Sequence, residues 1–437
     1  MHDHPGRISS FRVILYNNIT NPTPMIRLVH VLLLLHFSSL SIGQPPAKGN
    51  RIPAKNAYFP PYGEWKVTSP GVLKISDQYI DSAVVTAIRN EVKNTRDLSI
   101  DQANTFGKAP FGEAIGPMAA RGEPTGLIIY KGYIIASWGE PERVDMVHSV
   151  TKSFLSTLVG KAIDSGLIRS VMDTVAAIDP VFELYDPGAP GKAVLYRPFD
   201  TPHNRTITWN DLLRQTSDWE GTLWGKPEWA DRPDSSQADW KTRKRFPSGS
   251  RYEYNDVRVN ALALTLTGVW RRPLPQVLKQ FILDPIGASD RWRWSGYNNS
   301  WITLDGMPVQ SVSGGGHWGG GIFMDAYDMG RFGLLAVRRG KWNGRQLISE
   351  DWITQALTPT SARTDYGYMN WYLNTDKKLL PAAPINAFMH IGNGNNLVYG
   401  DPSHDLVIVA RWITSKGMNA VIEQVMKAGG WDEPATK

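Results

Sequence analysis

The chain contains no cysteine among its 437 residues. Disulfides, thiolate metal sites, a cysteine nucleophile and a lipid-modified N-terminal cysteine are thereby excluded together. Charge is sparse and nearly balanced: charged residues make up 20% of the chain and the formal net charge is +6. The longest basic run is Lys241-Thr242-Arg243-Lys244-Arg245. That is too little for a nucleic-acid surface, so no nucleic-acid partner is expected. Long apolar runs are missing as well. Leu28 to Phe37 is interrupted by His30 and His36, whereas a membrane span needs about 20 apolar residues.

That short run still carries information. Met25-Ile26-Arg27 precedes it and Ser41-Ile42-Gly43 follows, with small residues at 41 and 43. A basic end, a short apolar stretch and a small-residue cleavage site describe a secretory signal peptide. The expectation is a start at Met25, an upstream extension without fold content, and cleavage near residue 43. Leaving out residues 1–43, with Arg7, Arg12, Arg27 and Asp3, lowers the formal charge from +6 to +4. The expected location is periplasmic or secreted, with no stable membrane span after cleavage. The sequence does not specify an oligomeric state.

What is present suits a large folded domain. Hydrophobic residues make up 42%, and the 17 tryptophans run from Trp65 to Trp431, a spread that fits structural aromatics in a large core. Residues 44–70 are rich in Pro and Lys and read as a leader laid over the surface. A single domain is expected over 71–437. Ile80, Val84, Ile88 and Val92 recur at helical spacing. Two β-rich runs, 126–130 and 133–138, flank Lys131-Gly132 and predict a hairpin. An apolar helix follows from Ser149. From about 167 to 286 helical segments alternate with loops rich in Pro, Gly and Asp, and residues 396–399 and 406–412 predict a second hairpin, closed by a helix over 419–427. Strands at both ends with helices between them predict an α+β fold: an antiparallel sheet flanked by helices, carrying a helical insertion.

The chemistry begins at Ser149-Val150-Thr151-Lys152, the sole SxxK in the chain. On a helix this spacing puts hydroxyl and amine on one face, within reach of each other. A serine hydroxyl attacks well only after losing its proton, and an amine accepts one only when neutral. Bringing a lysine from ~10.4 to ~7 takes roughly 4–5 kcal/mol, which burial among Val150, Phe154 and Leu155 could supply. A serine in the first turn also leaves its own N–H available to an oxyanion.

A second segment, Pro247 to Asn260, runs turn, polar stretch, then apolar helix, and presents Tyr254. At residues 388–396, His390-Ile391-Gly392 precedes the second hairpin. Together these elements resemble the serine β-lactamase-related hydrolases: class C β-lactamases, carboxylesterases of that fold, D-stereospecific peptidases and 6-aminohexanoate-dimer hydrolases. In that family SxxK is followed about a hundred residues later by Tyr-x-Asn and then by Lys-Thr-Gly or His-x-Gly. Here Tyr254 lies 105 residues after Ser149, with Asp256 in place of the usual Asn. An ionised Asp256 beside Lys152 favours the ammonium. Tyr254, held as a phenolate by nearby positive charge, then becomes the better acceptor. A strict Tyr297-Asn298-Asn299 exists but lacks the turn-then-helix frame.

The resemblance implies Ser149, Lys152 and Tyr254 as catalytic residues, and an oxyanion site around His390, Gly392, Asn393 and Asn395. It also suggests pocket residues: Asp256; Trp219 and Glu220, after Leu212-Leu213-Arg214-Gln215-Thr216-Ser217-Asp218, where Asp218 replaces the family's Gly; and His317 and Trp318, within the glycine-rich stretch 313–321. It implies an acyl-enzyme serine hydrolase, an esterase or amidase acting on a small-molecule ester, amide or lactam, with no metal and no organic cofactor. Two rivals stay open: a penicillin-fold binding or sensor protein of the cell envelope that does not turn over, and a glycosidase using carboxylates such as Glu220 and Glu253.

Overall fold

The computed structural model describes residues 57–185, 188, 194–232 and 242–432. The expected signal peptide and most of the expected leader lie outside them. In chain order the elements are α1 (Asp77–Arg89), α2 (Leu98–Asn104), β1 (Thr125–Tyr130), β2 (Tyr133–Trp138), β3 (Asp145–Met146), α3 (Thr151–Asp164), β4 (Phe182–Leu184), β5 (Val194–Tyr196), α4 (Trp209–Leu213), β6 (Thr222–Leu223), β7 (Lys226–Pro227), α5 (Asp256–Trp270) and α6 (Leu274–Leu278). There follow β8 (Arg293–Leu304), β9 (Met307–Val312), β10 (Gly321–Met324), α7 (Ala326–Val337), β11 (Lys341–Trp342), β12 (Arg345–Gln346), α8 (Glu350–Ala356), β13 (Tyr372–Leu373), β14 (Phe388–Gly392), β15 (Asn396–Asp401), β16 (Leu406–Arg411) and α9 (Ser415–Gly429).

The main sheet has the order β13-β14-β15-β16-β1-β2 and every pairing is antiparallel. Both expected hairpins belong to it, so the first and last thirds of the domain meet at its centre. Both of its faces are buried, which is why its strands read as unbroken apolar runs. On β16, Leu406, Ile408 and Ala410 face α1 and α9, while Val407 and Val409 face the larger core containing α3, α5 and α7. The fold is α+β, as the sequence implied.

Between α3 and β8 the chain runs through α4, α5 and α6, and it also lends β4 and β5 to a second sheet of order β3-β10-β8-β4-β5. The start of the domain is pinned by arginines of α7 and its C-cap. Arg331 donates to the carbonyls of Pro60, Pro61 and Glu64, and Arg338 donates to that of Tyr58. Among the described residues no helix is long and apolar enough to cross a membrane.

Candidate active site

The nucleophile candidate sits at a strained turn. After β3 the chain makes a single 3-10 turn, His148–Val150, and enters α3. His148 takes φ +48°, a left-handed conformation costly for a side chain with a Cβ. Around it residues 145–148 and 150–159 are buried, and Ser149 alone in that stretch is partly exposed. The turn therefore lifts one hydroxyl out of a closed core.

Lys152 lies one turn on, with no exposed surface. Its Nζ is 2.9 Å from Ser149 Oγ, 3.1 Å from the Gly314 carbonyl and 2.7 Å from Asp256 Oδ1. The Tyr254 hydroxyl donates to Ser149 Oγ at 2.7 Å, and Lys152 Nζ stands 5.1 Å from the centre of the Tyr254 ring. Three of the expected residues, from two distant segments, thus converge on one oxygen. Tyr297 does not join them: it is buried in β8 and its hydroxyl accepts from Asn260.

The Tyr254 segment is fixed by its neighbours. Glu253 turns to Arg243 and Arg258. Asn255 caps α5, its Oδ1 accepting from the N–H groups of Val257 and Arg258. That cap leaves Asp256 as the first helical residue, where the helix N-terminus favours a negative charge. Asp256 is buried between Lys152 and Arg232, whose Nη2 is 2.8 Å from Oδ2. Arg232 also reaches both oxygens of Asp231, at 2.6 and 2.7 Å, and its guanidinium lies 4.9 Å from the Tyr254 ring centre. His317 Nδ1 is 3.3 Å from Asp256 and 3.5 Å from Asp231. The donor atoms of Asp231, Asp256 and His317 lie within 4.8 Å of one another. The two carboxylates already face Arg232 and Lys152, so cationic side chains supply the positive charge there.

This electrostatic frame corrects one expectation. Burial alone would raise the Asp256 carboxyl, but Arg232, Lys152 and His317 more than offset it and hold the carboxyl well below its usual range. Burial pulls the Lys152 ammonium down, opposed by the charge of Asp256 and the hydrogen bond to it. Tyr254 is raised, by burial first and then by Asp256, against the pull of Arg232. Burial and the charge of Asp256 outweigh the pull of Arg232, so nearby positive charge does not hold Tyr254 as a phenolate. The resting phenol carries its proton.

The glycine-rich stretch packs against this cluster. Gly314 supplies a carbonyl to Lys152, and a Cβ on Gly316 would lie 2.5 Å from the Asp256 carboxyl carbon. His317 stacks on Phe106 and meets Trp318 at a tilt of 44°. Trp318 is fully buried, its indole N–H donating to the Phe111 carbonyl. Gly392 brings β14 to the nucleophile: a Cβ there would strike the Val147 carbonyl and lie 3.1 Å from the Ser149 nitrogen. The strand β13 pairs only with Phe388 and Met389, so among the described strands none covers Ile391 and Gly392 on that side.

Other expected residues lie elsewhere. The His390 side chain has no exposed surface and is packed among Phe332, Trp371 and Phe388. Asn393 is exposed, its Oδ1 accepting from Gly394 N–H, and Asn395 donates to the Ile413 carbonyl and to Ser415. Trp219 is fully buried with its indole on the Pro198 carbonyl, and Glu220 accepts from Thr201 and Arg245. These two shape the support behind the site. Asp231 and Arg232 were missed, because a charged pair in a Pro-rich loop has no spacing signal. The loop itself offered no clue.

A profile of the beta-lactamase family matches residues 137–420, a span that holds Ser149, Lys152, Tyr254, Asp256 and Gly392. Solved structures share the fold at low identity. A penicillin-binding protein homologue from Caulobacter crescentus is 14% identical, covering 81% of this chain and 98% of its own length, with a TM-score of 0.52. EstCE1, a hydrolase with promiscuous acyltransferase activity, is 15% identical over 80% of this chain and 99% of its own, with a TM-score of 0.50. A family VIII carboxylesterase is 14% identical over 80% and 97%, again with a TM-score of 0.50. With the profile matching well over half of its length, the chain belongs to the beta-lactamase family.

Proposed function

We propose that this protein is a serine hydrolase that cleaves ester or amide bonds of small molecules through an acyl-enzyme on Ser149. The observation that carries the reading is the double contact on Ser149 Oγ, from Tyr254 at 2.7 Å and Lys152 at 2.9 Å. Ser149, Lys152 and Tyr254 titrate as one group, and the reactive form is the one that has lost a proton. In that form the group takes the Ser149 proton as Oγ bonds to the substrate carbonyl carbon. The oxyanion is assigned to the N–H of Ser149 and the backbone N–H after Gly392. The group then passes the proton to the leaving oxygen or nitrogen as the carbonyl bond breaks. Water reverses the sequence, losing a proton to the group and releasing the acid.

Charge at the site supports neutral esters and amides over β-lactams. Lys152 and Arg232 both face carboxylates, and no Lys-Thr-Gly stands at 390–392, so neither of these two cations is held in reserve for a lactam carboxylate. Export to the periplasm or medium, on the pattern of residues 25–43, belongs to the same proposal. The test is intact-mass spectrometry after exposure to a fluorophosphonate, p-nitrophenyl esters and a penicillin. A single adduct on Ser149, p-nitrophenol release, and loss of both in Ser149→Ala are expected, with acylation by the ester far faster than by the penicillin. An unmodified Ser149 under all three reagents overturns the reading.

A further inference from the structure

Arg232 joins Asp231, Asp256 and the Tyr254 ring in one set of contacts. Its Nη1 spans both oxygens of Asp231 and its Nη2 meets Asp256, whose other oxygen is the 2.7 Å partner of Lys152. The same guanidinium lies over the Tyr254 ring and beside Phe106. A third of its side chain remains exposed, so the cation stands at the rim of the site with its charge directed inward.

We propose that Arg232 is a positioning residue of the acyl-transfer centre, holding Asp256 against Lys152 and keeping a positive charge over Tyr254 so that the Ser149–Lys152–Tyr254 group more readily gives up its proton. The inference rests on the hydrolase reading above. Its direction does not depend on which side chain is the base. A cation at this position opposes protonation of the Lys152 amine and favours ionisation of the Tyr254 phenol alike, and it acts in that sense on both. The charged groups around the phenol are Lys152, Arg232, Asp256 and Asp231, with His317 beyond Asp256. Tyr252, Tyr366 and Tyr372 are its uncharged phenolic neighbours. Without Arg232, two buried carboxylates face a single lysine, and both effects tighten the hold on the proton.

The experiment is the pH profile of kcat/KM for ester hydrolysis in the wild type, Arg232→Met and Arg232→Lys. For Arg232→Met the acid limb is expected to move up by about one pH unit or more, which is about a tenfold loss per unit on the rising limb. Arg232→Lys keeps the charge, and its limb is expected within about half a unit of wild type, at a reduced kcat from the lost two-pronged grip. Should Arg232→Met fail to fold by circular dichroism, Arg232→Gln, which retains an amide donor, takes its place. A limb that stays at the wild-type position in the uncharged variant overturns the inference, whatever the kcat. So does a lysine variant displaced as far as the methionine one. Fluorophosphonate labelling separates the two levels: if wild-type Ser149 labels and the limb does not move, only the role of Arg232 falls. If wild-type Ser149 does not label, the hydrolase reading falls and takes this one with it.

Discussion

Asp256 is where this chain departs most tellingly from the Tyr-x-Asn pattern of its relatives. Its charge faces Lys152 at 2.7 Å and holds a proton on the reactive group. Asp256→Asn removes that charge and restores the usual residue. The acid limb of kcat/KM is expected to move down by about one pH unit, opposite in sign to Arg232→Met. An upward or absent shift, read from the same profile, would sink the electrostatic account. Ser149, Lys152 and Tyr254 were legible because SxxK is a local signal and the turn-then-helix frame marks the tyrosine. Asp231 and Arg232 were not, since only tertiary folding brings their loop to α5. Asp218, where the family pattern has Gly, shows what an exchange can require. Its φ is +46°, a conformation glycine takes freely. The carboxylate compensates by accepting from Arg243 and Arg258, each at 2.8 Å, and from the Phe246 N–H. Asp218→Gly relieves about 1 kcal/mol of strain but strips a buried arginine of one partner, a loss of about 3 kcal/mol. Net destabilisation in urea unfolding is the expected outcome.

At the scale of elements, periodicity located α1, and the structure shows which side faces inward. Successive i, i+4 steps rotate about 40° away from a fixed face, so Ile88 ends half exposed while Ile80, Ala83 and Ala87 carry the packing. Both hairpins of the main sheet were legible from apolar runs broken by turn residues. The strands β4 and β5, of three residues each, are too short to show a period. The element that matters most for chemistry is β14. Its His-x-Gly was read as part of an oxyanion site; in the structure His390 packs inward and Gly392 contributes the absence of a Cβ. Gly392→Ala is expected to cost at least about tenfold in kcat/KM, since the strand must retreat from Ser149 and the oxyanion donors separate. The thermal midpoint should move much less. Equal losses in stability and turnover would show instead that β14 only packs.

The whole molecule carries a pH dependence of its own in two buried imidazoles. Burial, aided at His148 by Lys152, pulls His148 down to about 4, and burial likewise pulls His390 down to about 4. Among the described residues the Nε2 atom of each is buried without a hydrogen-bond partner, and burial outweighs the pull of Asp145 and Asp256 on His148 and of the Asn370 carbonyl on His390. The unfolded chain binds protons near pH 6.5 while the folded chain refuses them until about pH 4. Stability is therefore lost as pH falls through this window, by roughly 3 kcal/mol for each histidine at full extent. Asp328 opposes part of it: burial and Asp325 raise its carboxyl to about 6, so the folded state takes up that proton first and gains stability over much of the same window. Burial also raises Asp231 and Asp325, which act in the same sense as Asp328, so the imidazoles are read by difference against a variant that lacks one. In His390→Gln the midpoint starts lower, but the melting temperature should fall less steeply, or rise more, from pH 6.5 to 4.5 than in the wild type, because one of the two groups that refuse a proton is gone. A variant whose slope over that range equals the wild type's would remove the buried imidazole from the account.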